Sequence, residues 1–390
     1  MAIYIDANAT TSLDPRVEES MRQHASVLYG NPSSPHEPGR LARTALDNAR
    51  QTIISRLGLG RCSLVFTSGA TEANNLAVHS LHQRIQEDRT FLVGATEHPS
   101  VLAPCIDLRS KGRDVEILPV LKSGMIDFDT LQKRVKSGDV GAVAVMAVNN
   151  ETGLIQPFRQ ISKFLKSRGI PYLCDITQAV GKIPLESIEL GPAFLTLSSH
   201  KLRGPKGIGA LVKTGNAKIS PQILGGSQES TCRAGTENVF GAIGFAKAVA
   251  LRIHELQPCC DGWRTLRKQF WEFLCTTYPG IQSNTPLVEN ASVENTLNVM
   301  FPGISSEALL VRLDLEGIYI STGSACASGS SDPSHVLLAM GNSRDHARSS
   351  VRFSFCPETQ PNDLEQIVDV LGRVLPEMKR LNRKSNRRNE

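Results

Sequence analysis

Residues 198–209 read Ser-Ser-His-Lys-Leu-Arg-Gly-Pro-Lys-Gly-Ile-Gly, and they follow an apolar run of strand length at residues 193–197. Lys201 therefore stands at the end of a predicted strand, in a turn whose glycines let the backbone approach a ligand closely. A lysine amine in such a place can form a Schiff base with a carbonyl group. Because most lysines are solvated surface residues, this interpretation depends on the rest of the chain.

Apolar runs of strand length alternate with helical patterns through the first two thirds of the sequence. Strands are predicted at residues 63–67, 90–94, 140–148, 170–174 and 194–197, with helices at 72–86, 100–111, 128–136 and 158–168. This alternation predicts an α/β fold with a mostly parallel sheet covered on both faces. In such sheets, ligands bind beyond the carboxyl ends of the strands.

A second α+β segment is predicted from about residue 250 onward. Its helices are predicted at residues 264–274, 306–315 and 364–375, and its strands at 296–301, 318–321 and 351–355. We expect a large domain of residues 15–250, a small domain of residues 1–14 and 251–378, and a basic tail of residues 379–390. Two domains suit a chain of 390 residues, which is too long for one small core.

Charge and cysteine content exclude several classes of protein. The formal net charge of +5 is carried by the tail, so the body is neutral and no nucleic-acid-binding face is expected on it. The tail is predicted to be a solvated helix end. Nine cysteines without a C-x-x-C pair suggest neither a disulfide framework nor a metal site, and they fit a reducing compartment. Cys62, Cys174 and Cys275 are expected in the core, whereas Cys259 and Cys260 receive no role.

No stretch approaches the roughly 20 apolar residues that a membrane span needs. The N-terminus, Met-Ala-Ile-Tyr-Ile-Asp, has neither a basic region nor a sustained apolar segment. We therefore expect a cytoplasmic enzyme with no membrane partner.

Polar residues follow five successive predicted strands. In chain order these groups are Thr67–Glu72, Thr96–His98, Asn149–Gly153, Asp175–Gln178 and Ser198–Lys201. Each group alone is an ordinary turn or helix cap. Together, at one edge of one sheet, they predict a ligand site.

These residues suit pyridoxal 5'-phosphate, which needs a lysine, a carboxylate for the pyridine nitrogen, a phosphate cradle and a group that stacks on the ring. Lys201 and Asp175 supply the first two, and residues 68–71 supply a cradle at a helix start. His98 could lie over the ring, and Asn150 and Gln178 could bond its phenolic oxygen. Taken singly, Asp175 is better interpreted as the N-cap of the following helix and His98 as a satisfied polar residue at a helix start. Together with Lys201 they favour a cofactor site.

The sequence resembles the cysteine desulfurases, which belong to the class V aminotransferase family of fold-type I pyridoxal phosphate enzymes. The matching motifs occur in family order at residues 6–11, 30–34, 67–75, 96–98, 148–151, 175–182, 199–201, 204–207, 233–238 and 323–326. They cover nearly the whole chain, so the series is highly specific although no single motif is.

The resemblance implies a role for each matching residue. Lys201 would carry the cofactor, Asp175 would pair with the pyridine nitrogen, His98 would stack on the ring, and Asn150 and Gln178 would contact it. Phosphate would be held by Ala70, Thr71, Ser198 and His200, with Thr236 reaching in from the partner subunit of a homodimer. Asn31 and Arg352 would bind the substrate carboxylate, for which arginine has a suitable bidentate fork.

Cys326 separates a desulfurase from a plain aminotransferase. It lies in a Ser/Gly-rich loop at residues 321–331 that has no large apolar residue to bury it. By resemblance, its thiolate attacks the sulfur of bound L-cysteine, which leaves a persulfide on the enzyme and releases L-alanine. His98 would assist as an acid or base, and Lys201 would act at the substrate α-carbon. The sulfur would pass to an acceptor such as an iron–sulfur scaffold or a thiolation pathway.

Two segments depart from the usual family pattern. Ser227 and the pair Ser230-Thr231 replace a common glycine and an arginine-containing pair, and Cys356-Pro357 replaces a familiar Gly-Arg. These departures affect the expected subunit interface and partner-docking surface. The alternatives are a selenocysteine lyase, another class V aminotransferase, or a non-catalytic scaffold that binds a sulfur-transfer partner.

Overall fold

The computed structural model describes residues 2–60, 62–185, 191, 193–322 and 332–386, with side chains up to residue 380. The first part of the chain forms β1 (Ile3–Tyr4), α1 (Pro15–Ala25), α2 (Glu37–Arg56), β2 (Ser63–Thr67), α3 (Ala70–His82), β3 (Thr90–Gly94), α4 (Pro99–Ser110), β4 (Val115–Leu118), α5 (Phe128–Lys136), β5 (Val140–Ala144), α6 (Phe158–Ser167), β6 (Tyr172–Asp175), β7 (Phe194–Ser198) and β8 (Gly209–Lys213). The remainder forms α7 (Val239–His254), α8 (Leu256–Thr277), β9 (Gln282–Ser283), β10 (Thr296–Met300), α9 (Ser306–Leu315), β11 (Ile318–Tyr319), α10 (His335–Ala339), α11 (Arg344–Arg348), β12 (Ser350–Ser354) and α12 (Pro361–Asn386).

The main sheet has seven strands in the order β2-β8-β7-β6-β5-β3-β4. Only β8 runs against its neighbours β2 and β7, and the other pairings in the sheet are parallel. The predicted α/β class with a mostly parallel sheet is therefore confirmed. Strands β3, β6 and β7 are buried along their whole length, as their continuous apolar runs indicated.

A second hydrophobic core lies between α8, α9, α12 and a three-stranded antiparallel sheet of order β12-β10-β9. At its centre Phe270 packs edge-to-face on Phe353, with ring centroids 5.0 Å apart. Ile3 and Ile5 from the start of the chain belong to this core. The domain bounds at residues 15–250 and 251–378 stay a prediction.

The segment after β1 links the second core to the turn that follows β7. Ala7 N donates to Ser354 O over 3.0 Å, and Thr11 N donates to His200 O over 3.1 Å. Farther on, Asp14 N donates to Arg203 O over 2.9 Å. Residues 8–10 are thereby held against Lys201.

Some elements differ from the sequence-based expectations. Strands β4, β8 and β9 and helices α7, α10 and α11 were not predicted. Strand β5 ends at Ala144 although the apolar run continues to Val148. Cys174 is buried and Cys62 is half-buried, but Cys275 is exposed, so its expected place in the core is wrong. Cys275 lies on α8, which packs its apolar stripe inward and turns this residue to solvent. Within the described ranges, no helix is both long enough and apolar enough to cross a membrane.

Candidate active site

A cavity of about 470 Å³ opens at the carboxyl ends of the parallel strands. The segments that follow β2, β3, β5, β6 and β7 all contribute to its wall, together with residues 8–10 and Arg352 from β12. Ten of the site residues predicted from sequence line it: Ala70, Thr71, His98, Asn150, Asp175, Gln178, Ser198, His200, Lys201 and Arg352. The polar residues that follow the strands therefore line one cavity. Its wall includes residues from both cores.

Three other predicted residues lie elsewhere or are not described. Asn31 and Thr236 are exposed, and neither lines the cavity as the described residues define it. The Asn31 side-chain oxygen accepts a hydrogen bond from Ser33 N at 2.9 Å, which closes a local turn. Cys326 lies outside the described residues.

Lys201 follows β7 in a single turn of 3-10 helix, Ser199–Lys201. Its amine donates to the carbonyl oxygens of Asn8 and Ala9, each over 2.6 Å. The N-terminal segment therefore positions the amine at the cavity.

Asp175 ends β6, and only 7% of its surface is exposed. One carboxylate oxygen accepts from Asn74 Nδ2 at 2.8 Å, and the other accepts from Thr177 N at 2.8 Å. The contact with Thr177 closes the turn after β6. Residues 176–185 form no helix, so the helix-cap interpretation of Asp175 is wrong. Both hydrogen bonds come from neutral donors, so they orient the carboxylate without neutralising its charge.

His98 is the N-cap of α4, as the alternative interpretation of this residue expected. Its Nδ1 accepts from Ser100 N at 3.1 Å and lies 2.7 Å from Ser100 Oγ. Burial lowers the pKa of His98, Asp175 opposes that effect, and Lys201 adds to it. The imidazole is therefore neutral near pH 7.

The start of α3 has the features of a helix end that can bind an anion. Gly69, the N-cap residue, provides no side chain to cap the first turn of the helix, so backbone N–H groups of that turn are available to an anion. A Cβ atom built on Gly69 would meet only Ser198 Oγ, at 4.0 Å, so the space beside this helix end is open. Gly209 packs on the other side, where a Cβ atom would come within 2.5 Å of the Gly69 carbonyl carbon.

His200 lines the same end of the cavity. Its Nδ1 lies 3.0 Å from Thr10 Oγ1. Burial, with Lys201 and Lys206 nearby, lowers the pKa of His200 to about 4, so the ring is neutral near pH 7. A neutral ring can donate one hydrogen bond to an anion.

Arg352 reaches the cavity from the second core and is 1% exposed. Its guanidinium donates to Asp6 Oδ1 over 2.6 Å and to Asn150 O over 3.0 Å. These contacts hold the planar group at the wall, where it can bind a carboxylate.

Lys182 was quoted in a sequence motif but was not predicted as a site residue. It is 7% exposed and donates to Asn8 Oδ1 over 2.7 Å and to Gln178 Oε1. Burial, followed by the charges of Lys201 and Arg352, lowers the pKa of Lys182 well below its usual value. Gln178 Nε2 donates to Asn8 O over 3.0 Å, so its Oε1 accepts from Lys182, and the two contacts fix the orientation of the Gln178 amide at the cavity wall.

Ser334 and His335, close in sequence to Cys326, contact two buried glutamates. Ser334 Oγ donates to Glu151 Oε2 over 2.5 Å, and His335 Nε2 lies 2.9 Å from Glu97 O. Burial raises the pKa of Glu151 and raises that of Glu97 well above its usual value. These contacts attach the segment that begins at Ser334 to the cavity wall beside His98.

Comparison with known proteins identifies the family. The family model described as "Aminotransferase class-V" matches residues 3–367. A curated relative, "Cysteine desulfurase IscS" of Dictyoglomus turgidum, is 38% identical over 378 residues, which cover 97% of this chain and 95% of the relative.

Two solved structures have the same fold over nearly all of their length. One, titled "NIFS-LIKE PROTEIN", has a TM-score of 0.88 at 33% identity and covers 96% of this chain and 100% of its own. Another, "SspA in complex with cysteine", has a TM-score of 0.77 at 31% identity and covers 92% of this chain and 100% of its own. These matches confirm the resemblance seen in the motifs along the whole matched length. This chain belongs to the aminotransferase class-V family.

Proposed function

We propose that this protein is a pyridoxal-phosphate-dependent cysteine desulfurase that converts L-cysteine to L-alanine and leaves a persulfide on Cys326. The observation that carries the proposal is one cavity that holds a buried carboxylate, a lysine amine and an open anion site at a helix N-terminus. The curated relative named as a cysteine desulfurase supports the choice of reaction within the family.

The residues present fit pyridoxal phosphate. Thr177 lines the cavity, and its buried Oγ1 has no hydrogen-bond partner among the described residues. The space beside Gly69 would accept a phosphate. Asp175 would face the pyridine nitrogen and His98 would stack on the ring. Asn150 and Gln178 would contact the ring oxygen. The phosphate would be held by Ala70, Thr71, Ser198 and His200.

Bound pyridoxal phosphate would supply an electron sink for negative charge at the substrate α-carbon. The amine of Lys201 would remove and return the proton at that carbon, because it already stands at the cavity wall. Arg352 would bind the substrate carboxylate through its fork and orient the amino acid. Asn31 is proposed as a second carboxylate contact.

The sulfur transfer would use the Cys326 thiolate as nucleophile. A sulfur–sulfur bond forms while the carbon–sulfur bond of cysteine breaks, and the electron pair of that bond stays with the β-carbon, which takes up a proton. Cysteine and one enzyme thiol therefore give alanine and one enzyme persulfide, with no external oxidant. His98, neutral near pH 7, would serve as an acid or base in these proton transfers.

A homodimer is part of the proposal, since Thr236 is exposed and would complete the phosphate site of a second copy. Exposed apolar side chains lie in the same region, with Leu224 79% and Phe240 41% exposed. The hydrogen bond from Ala234 N to Ile223 O, 3.2 Å long, brings residues 223–224 beside the Thr236 segment. An exposed apolar surface of this kind is typical of a subunit interface.

The persulfide would pass to a protein acceptor such as an iron–sulfur scaffold or a component of a thiolation pathway. We propose a cytoplasmic location for this reaction. All eight cysteines among the described residues are free, which supports a reducing compartment.

The test is incubation of the purified protein with L-cysteine and a reductant while alanine and sulfide are followed together. Equal amounts of both products are expected, and both should be lost in Cys326→Ala and in Lys201→Ala. Cys275→Ala, which removes an exposed thiol on α8, is the matched control and should behave as wild type.

The result also separates the alternatives. Turnover of selenocysteine but not cysteine would replace the proposal with a selenocysteine lyase. A Cys326→Ala variant that still turns over its amino-acid substrate would indicate another class V aminotransferase, which does not need this thiol. A protein without cofactor absorption would indicate a non-catalytic scaffold.

A further inference from the structure

Asn74 is a completely buried polar residue within α3, and its side-chain amide makes three hydrogen bonds. Its oxygen accepts from Thr196 Oγ1 at 2.6 Å. Its nitrogen donates to Asp175 Oδ2 over 2.8 Å and to Ser100 Oγ over 2.9 Å. A buried amide bonded on both sides fixes the orientation of the groups it contacts.

The directions of these hydrogen bonds follow from the chemistry of the groups. The Asp175 carboxylate only accepts, so the nitrogen of the Asn74 amide must face it. The second N–H of the same nitrogen goes to Ser100 Oγ, which leaves the Ser100 hydroxyl hydrogen for another acceptor. His98 Nδ1, 2.7 Å away, is that acceptor.

His98 Nδ1 therefore accepts from two donors of the same residue. The Ser100 backbone N–H lies 3.1 Å from it and has no alternative but to donate. With Nδ1 acting as an acceptor, the proton of the neutral imidazole resides on Nε2. Asp175, Lys201 and His335 are the charged or titratable neighbours that also act on this ring.

We infer that Asn74 and Ser100 are positioning residues, which orient the Asp175 carboxylate and hold His98 as the tautomer with its proton on Nε2. In its neutral form His98 then takes part in the reaction as a hydrogen-bond donor at Nε2, and it can release that proton only after Nδ1 has gained one. The inference rests on the proposed function only for the part that His98 takes in the reaction. The hydrogen-bond chain itself belongs to the protein alone.

The test is NMR of the full-length protein labelled with ¹⁵N in histidine, without substrate, with His98 assigned by the resonance that His98→Gln lacks. Wild type should show a protonated Nε2 and an unprotonated Nδ1 in the neutral ring. Ser100→Ala removes one donor to Nδ1, so Nδ1 should take up a proton more readily. The titration midpoint of His98 should rise by about 0.5 to 1 pH unit, about three- to tenfold in proton affinity, the size of one hydrogen bond.

Two further variants test the chain beyond Ser100. Asn74→Ala should raise the midpoint in the same direction by a smaller amount, although Asn74 does not contact His98, and should add nothing in a Ser100→Ala background. Ser100→Thr keeps the hydroxyl and should restore the wild-type value. Ser80→Ala removes another buried hydroxyl of α3, bonded to Leu76 O over 2.6 Å, and should leave His98 unchanged.

A proton on Nδ1 in wild type, or an unchanged midpoint in Ser100→Ala, would overturn the inference. So would an equal shift in Ser80→Ala, which would indicate a general loosening of α3. If Asn74→Ala does not fold, the comparison of Ser100→Ala with Ser100→Thr decides. Because no substrate is present, these outcomes are independent of the cysteine assay, which judges the proposed function on the same preparations.

Discussion

The Lys201 amine lies 2.6 Å from the backbone oxygen of Asn8. Asn8 is bonded in turn to the second core, because its N–H donates to Ser354 Oγ over 3.0 Å and its side chain donates to Thr296 Oγ1 over 2.9 Å. The reactive amine of the main sheet is thus positioned by a segment anchored in the other core. Any movement between the two cores would move the groups around Lys201.

Two adjacent serines provide a matched pair of variants that tests the proposed phosphate site. Ser198 lines the cavity, whereas Ser199 is fully buried and its Oγ has no hydrogen-bond partner among the described residues. Ser198→Ala should weaken cofactor binding about 10- to 100-fold, the effect of losing a hydrogen bond to a charged group. Ser199→Ala should bind the cofactor as wild type does. Cofactor absorption after dialysis measures both, and equal losses would contradict the assignment of Ser198 to the phosphate.

Asp175→Asn tests the carboxylate. The amide keeps the shape of the side chain and removes its charge, so it can no longer stabilise a protonated pyridine nitrogen. Alanine formation should fall by about a hundredfold or more while the cofactor stays bound, since general acid–base groups typically contribute factors of this size. The measurement is the rate of alanine formation alongside the absorption spectrum. A variant with normal turnover would remove Asp175 from the proposed site.

Asp14 should contribute stability that depends on pH. Its carboxylate caps α1 by accepting from Arg16 N at 3.0 Å, and it pairs with Arg16 and Arg203. The hydrogen bond with the Arg16 side chain is the main cause that lowers the pKa of Asp14 from 3.8 to about 2. Because the folded-state pKa is below the unfolded value, the contribution is complete above pH 4 and is lost as the pH falls toward 2.

Asp14→Ala should lower the free energy of unfolding by about 2 kcal/mol near neutral pH, and Asp14→Asn, which keeps a capping oxygen, by about half of that. Urea unfolding over the acid range in which wild type stays folded is the measurement. The difference between wild type and either variant should shrink with acid. A difference that is constant or grows would contradict this role.

The turn at residues 229–231 is strained. Glu229, Ser230 and Thr231 all have positive φ angles, with 66° for Thr231, a conformation that a β-branched residue rarely adopts. Thr231→Asn and Thr231→Gly should each raise the free energy of unfolding by about 0.5 to 1 kcal/mol. Ser227→Gly, at an ordinary φ of −82°, is the control and should bring no gain. Thermal or urea unfolding distinguishes the two sites, and equal gains at both would argue against strain.

Sequence reasoning predicted most of what depends on local pattern. Continuous apolar runs located β2 and β3 to the residue, and helical patterns did the same for α5 and α9. Each of these elements is bounded by clear turn or capping residues. Strand β8 was missed since it follows directly on the glycine-rich turn after Lys201. Its antiparallel pairing with β2 depends on contacts distant in sequence.

The site was predictable where polar residues follow strands and less so where residues act through others. Asp175 and Lys201 stand at strand ends, where a buried core would not place charge. Asn74 looks like any polar residue of an amphipathic helix, and its bond to Asp175 spans 101 residues of sequence. Lys182 likewise gave no signal of its burial, since lysines are mostly exposed.

The most direct test of the central claim is the mass of the peptide that contains Cys326 after the protein is given one equivalent of L-cysteine with neither acceptor nor reductant. We expect one added sulfur atom on Cys326, an equal amount of alanine in solution, and the same result in Cys275→Ala. Alanine formed without sulfur on Cys326, or sulfur found on another cysteine, would contradict it.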